Sequence, residues 1–229
     1  RKLNDQGVTL LKGTKDAVMP FFRPDGKWLG FFTEKKLKTL ELESGLVKEL
    51  CDAKNAYYGG CWGEDGIIYF GNSEGNDFVG IKETGGNTWV VSDQIKFMFH
   101  PRVAMNGDGL IFCSAGLDVF RGAFSVFYLP LGEQGVPRQL ASGRLPTWFG
   151  DDTLVTVEDG QLMSTRMNTQ TFQPVSQAKI VMKSKLMTQN IYAQYSLAKN
   201  NILAFLEGYI SPELTLTAVD PRSQSTMPV

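Results

Sequence analysis

Short apolar stretches alternate along this chain with polar breaks rich in Asp, Asn and Gly. "RPDGKWLGFF" (23–32) is one such unit, a turn-forming quartet followed at once by bulky apolar residues. "GEDGIIYFG" (63–71), "NGDGLIFCS" (106–114), "GDDTLVTVE" (150–158) and "AKNNILAFLE" (198–207) repeat it. The anchors Asp25, Asp65, Asp108, Asp152 and Asn201 recur at intervals of about 40 to 49 residues, within the range of propeller blades. A short aromatic segment precedes the anchor, as in "MPFF", "GGCW", "LPTWF" and "IYAQY". A second strand and a hairpin follow, as in "LKTLELESGLVKEL", "DFVGIKETGGNTWVVS" and "QLMSTRMNTQTFQPVS".

Each unit therefore reads as a meander of four strands. Asp-Gly suits the first hairpin, because Gly tolerates positive φ and Asp bonds its own backbone. Helical periodicity is nearly absent; "TLVTVEDGQLMSTRM" comes nearest, and its alternation favours strands. The expected fold is all-β, a β-propeller of four-stranded antiparallel blades in a single domain spanning 1–229. Five complete units fall at 13–55, 56–94, 95–142, 143–185 and 186–229, and residues 1–12 read as the last strands of a sixth. One four-stranded sheet has two apolar faces and cannot bury both alone, whereas neighbours around an axis can. Phe21, Phe22, Trp28, Phe31, Trp62, Tyr69, Phe70, Phe112, Trp148 and Phe205 are expected to fill the space between blades. Six blades of roughly 44 residues need more than this chain holds. The expectation is thus a six-bladed ring that is incomplete here, with a closed five-bladed ring as the alternative.

Composition narrows the function classes. With 23 basic and 24 acidic residues and no long basic run, a nucleic-acid partner is disfavoured. Lys35, Lys36 and Lys38 beside Glu34 read as a solvated hairpin rim. No apolar run approaches the roughly 20 residues that cross a bilayer, so no membrane insertion by this segment is expected, and the opening "RKLNDQGVTL" does not read as a signal peptide. Cys51, Cys61 and Cys113 fit no zinc spacing, and Cys61 and Cys113 read as buried free thiols. No cofactor or metal is expected.

The cluster "PFFRPDGKWLGFF…LKTLELESG…KELCDA" with "GGCWGEDGIIYF" resembles the WD-like repeats of TolB-type propellers. It is most similar to the propeller region that ends many bacterial serine/threonine kinases of eukaryotic type. That resemblance implies a bacterial, extracytoplasmic sensor or docking module, tethered to a kinase domain and membrane helix outside this chain. No kinase catalytic sequence occurs in the chain itself.

Candidate chemistry is sparse. "KETGGNTW" (82–89) matches the Asp-box of sialidase-type propellers at Gly86, Thr88 and Trp89 but carries Lys82 and Thr84 in its Ser and Asp positions, and reads as a Gly-Gly hairpin. His100 is the sole histidine, which excludes multi-His metal sites from this chain, and no nucleophile elbow accompanies it. The repeated acids Asp25, Asp65, Asp108 and Asp152 could suggest a glycosidase pair, but equivalent turns spaced around a ring do not converge. "GNSEGND" (71–77) reads as a hairpin tip rather than a calcium loop. The loops between blades and between second and third strands share one face of such a fold. They offer Tyr57, Tyr58, Arg121 and Tyr209 as binding residues, with His100 at the rim or channel. The leading expectation is a non-catalytic module that binds a protein, peptide or small ligand. The alternative is a propeller glycosidase or the accessory propeller of a serine peptidase.

Overall fold

The computed structural model describes residues 11–53, 58–72, 77–94, 97–104, 107–115, 124–132, 135–182 and 186, and strand backbone at 188–189, 192–193, 195–197, 203–206, 216–219 and 226–228. The chain divides into two compact units, Arg1–Val91 and Ser92–Val229.

The first unit holds two meanders. One comprises β1 (Val18–Phe22), β2 (Trp28–Phe32), β3 (Lys36–Glu41) and β4 (Val47–Asp52); the other comprises β5 (Gly60–Trp62), β6 (Ile67–Asn72), β7 (Asp77–Lys82) and β8 (Trp89–Ser92). In both, strand order follows chain order, and the register places Trp28 opposite Glu41 and Ile67 opposite Lys82. The core lies between the two sheets, built from Phe21, Phe32, Leu37 and Leu50 of the first and Trp62, Ile68, Phe70, Val79 and Ile81 of the second. Phe21 is its pivot. Its ring packs against Phe32 at 5.8 Å and edge-on to Trp62 at 6.4 Å. It also lies where a Cβ at Gly30 or Gly60 would stand, which explains two glycines inside strands.

Nine of the ten expected interface aromatics lie among described residues, and Phe22 corrects the list. Strand alternation sends Phe21 and Phe22 to opposite faces of β1, leaving Phe22 62% exposed while Phe21 is buried. Phe205 lies outside the residues whose side chains are described.

The second unit repeats the plan in β9 (Met98–Val103), β10 (Gly109–Ser114), β11 (Ser125–Pro130) and β12 (Arg138–Ser142), then in β13 (Arg144–Phe149), β14 (Thr153–Glu158), β15 (Gln161–Arg166) and β16 (Lys179–Ile180). A two-stranded sheet of β17 (Thr188–Gln189) and β18 (Tyr192–Ala193) follows. A last meander comprises β19 (Tyr195–Leu197), β20 (Leu203–Leu206), β21 (Leu216–Val219) and β22 (Thr226–Pro228). β10, apolar up to its final Ser114, is buried along its whole length, as expected of a strand paired on both edges. "TLVTVEDGQLMSTRM" is a hairpin, β14 to β15, turning at Asp159 and Gly160 with φ of 49° and 76°.

Two boundaries differ from the sequence reading. The outer strand of the fourth unit is not "QTFQPVS" but the two residues Lys179–Ile180. The intervening loop is folded on itself instead: Asn168 Oδ1 accepts from the backbone N–H of Gln170 and Thr171, and Phe172 N–H reaches Asn168 O at 2.7 Å. This pins Phe172 at φ 50° and buries its ring against Tyr128, stacked at 4.6 Å. In the fifth unit "IYAQY" is split, its start pairing within the small sheet and its end opening the last meander. The expected strands in residues 1–12 fall almost entirely outside the described residues.

Candidate functional site

The first hairpin of each sheet carries the repeated acids, and their partners are local. Asp25 Oδ1 accepts from Lys27 N–H at 2.9 Å, and its Oδ2 meets Arg23 Nη1 at 2.9 Å. Asp65 Oδ1 accepts from Ile67 N–H at 3.0 Å, and its Oδ2 accepts from the Tyr69 hydroxyl at 2.8 Å. Burial, and then that bond, hold the Tyr69 phenol well above its ordinary range. Asp152 accepts from Arg166 at 2.8 Å and from Thr153 Oγ1 at 2.8 Å, and Arg166, the larger influence, holds its carboxyl below the usual range. Asp and Asn at such positions cap their own turn.

The backbone corrects the alignment in two of these turns. Gly26 and Gly107 both adopt positive φ and donate three residues back, to Arg23 O and Ala104 O. Gly107, not Gly109, is therefore the turn glycine of the third unit, and Asp108 follows it whereas Asp25 precedes Gly26. Gly109 lies inside β10, where the Tyr128 ring covers its Cα. In the fourth unit the left-handed glycine precedes the acids, at Gly150 with φ 59°.

A second recurring feature was not anticipated. Met19, Gly59, His100 and Leu145 adopt φ of 50°, 80°, 52° and 54°, each just inside or just before the first strand of its sheet. Proline follows three of them, at Pro20, Pro101 and Pro146. The register of the first strand shifts at those three places, so each is a β-bulge. A left-handed residue costs roughly 1–2 kcal/mol when it carries a Cβ, and three unlike side chains accept it. The signal was visible as "MP", "HP" and "LP" at matching places in the repeat.

The best-connected cluster is in the first unit. Arg23 donates through Nε and Nη2 to the two oxygens of Glu83, each at 3.0 Å, and its guanidinium stands 5.9 Å from the centre of the Trp62 ring. Trp62 Nε1 donates to Glu83 Oε2 at 3.0 Å. Arg23 belongs to the first sheet, Trp62 and Glu83 to the second, so the trio clasps them together. Trp148 occupies the place of Trp62, three residues after its left-handed residue. Met167 occupies that of Glu83, since both follow the third strand and donate back to the first hairpin, Glu83 to Gly66 O and Met167 to Asp152 O. Ala104 stands where Arg23 does. The second unit thus keeps the indole and loses its acceptor and cation. Trp148 Nε1 is buried and, among the described residues, has no hydrogen-bond partner.

The proposed binding residues are only partly described. Tyr58, half-buried, sits in the turn before Gly59; Tyr57, Arg121 and Tyr209 lie outside the described residues. His100 is the left-handed residue of β9, with Nε2 buried. Burial, and secondarily the charge of Arg102, lower its pKa to about 4, so the ring is neutral at pH 7 and far from the range of an efficient general base. Tyr58 falls in the first unit and His100 in the second.

Other candidates resolve into structure. In "KETGGNTW" Gly85 and Gly86 turn at φ 89° and 119°, and Trp89 lays its ring over Gly80. The tip of "GNSEGND" lies outside the described residues; its flanks Asn72 and Asp77 pair as a hairpin. Lys36 bridges Glu49 and Asp52, both at 2.8 Å, and Lys38 approaches Glu49 at 3.6 Å, so the densest basic run is matched by acids on β4. None of the three cysteines forms a disulfide among the described residues, and Cys61 and Cys113 are buried. Burial pushes the Cys113 thiol up to about 12 and the Cys51 thiol to about 11. Among the described residues, no three His, Cys, Asp or Glu are grouped to hold a metal, and no helix is long and apolar enough to cross a membrane.

These features define an all-β protein of repeated four-stranded antiparallel sheets, consistent with propeller-like folds. Solved structures agree: TolB from Acinetobacter baumannii (13% identity, TM-score 0.67) is similar over 93% of this chain and 54% of its own. A putative TolB from Agrobacterium tumefaciens (15%, 0.66) is similar over 93% and 79%. XC5397 from Xanthomonas campestris, a gluconolactonase (11%, 0.64), is similar over 93% and 74%. The chain spans about half the length of the Acinetobacter protein. No family model and no curated protein matches it. At such identities the likeness concerns the fold alone, and that fold serves an enzyme as well as TolB.

Proposed function

We propose that this chain is a non-catalytic binding module, part of a six-bladed TolB-like propeller whose loop face or channel engages a protein, peptide or small ligand. The observation that carries this reading is the fate of the repeated acids. Asp25, Asp65 and Asp152 occupy hairpins of separate sheets, each held by its own neighbours. A glycosidase needs two carboxyls about 5 to 10 Å apart across a cleft, free to exchange protons with substrate. The likeness to TolB supports an extracytoplasmic setting; we further propose a bacterial kinase domain and membrane helix outside this chain. Tyr57, Tyr58, His100, Arg121 and Tyr209 are the binding residues of this reading.

Two assays together test it. The chain is incubated with chromogenic glycosides, an aldonolactone and oligogalacturonate, with and without calcium and manganese, and separately selected against a displayed random-peptide library. The reading expects no turnover above buffer, and peptides whose binding Tyr58→Ala weakens at least tenfold. Turnover abolished by one acid-to-amide change overturns it in favour of the glycosidase or another propeller enzyme.

A further inference from the structure

We draw no further inference here: the strongest candidate, the exposed apolar surface patch at Phe22 on β1, is one for which nothing in the structure shows what covers it.

Discussion

Trp62 and Trp148 hold the same place in two repeats but differ in one hydrogen bond, so replacing each with phenylalanine isolates that bond. Both substitutions remove the same atoms, at a cost of about 1 kcal/mol of burial at buried Trp62 and no more than that at half-buried Trp148. At Trp62 the change also deletes a donor 3.0 Å from a carboxylate already held by Arg23. Hydrogen bonds to charged groups contribute about 1.5–3 kcal/mol. Glu83 and Arg23 are 28% and 33% exposed, so solvent screening favours the lower half of that range. The expected cost of Trp62→Phe is therefore about 2–3 kcal/mol. At Trp148 the same change deletes a buried donor that has no partner among the described residues, and the desolvation recovered, about 1–3 kcal/mol, offsets the lost area. Trp148→Phe should therefore be neutral or stabilising, by up to about 2 kcal/mol. Urea unfolding followed by far-UV circular dichroism reads both without relying on the altered fluorophores. Equal costs at the two positions, or a larger cost at Trp148, would refute the assignment of the clasp.

Stability should fall in acid on account of His100. Its folded pKa, about 4, lies below the ordinary 6.5, so its contribution is complete above pH 6.5 and is lost as pH falls toward 4. Urea unfolding should show about 2 kcal/mol less stability at pH 5 than at pH 7.5, and His100→Gln should remove most of that difference; an unchanged slope in the variant would contradict it. Phe172→Ala should cost about 3–5 kcal/mol and Asn168→Ala about 1–2 kcal/mol, by differential scanning calorimetry, since one fills the space beside Tyr128 and the other fixes the loop that delivers it. Gly60→Ala should cost about 1–3 kcal/mol, because the new Cβ would stand 2.9 Å from the Phe21 ring; a neutral result would show that the ring has room to move. In the native state Cys113 should resist a thiol reagent at pH 8 that labels it readily in urea.

The sheets were legible in sequence because each repeat writes a short apolar, strand-forming run between turn residues, and "GIIYFG" or "DTLVTVE" admits few other readings. What failed was register. "NGDG" contains two glycine steps, and only the backbone bonds of Ala104 and Gly107 show which one turns. The outer strand after β15 was misplaced because "MNTQTFQPVS" has strand-like residues, yet Asn168 gathers two N–H groups and bends the chain before a strand can form. Phe22 was assigned to an interface by its size, when the parity of the strand was the better guide. The clasp lay beyond reach for another reason: Arg23, Trp62 and Glu83 are far apart in sequence, and nothing local marks them as partners.

A crystal structure of the chain bears most directly on the claim that repeated four-stranded sheets stand side by side, each hiding one face against the next. The proposed propeller predicts first strands gathered around a common axis, and within the first unit the account predicts Glu83 joined to both Arg23 and Trp62. Sheets stacked as a two-layer sandwich, or a first and second sheet that do not share Phe21, would contradict it.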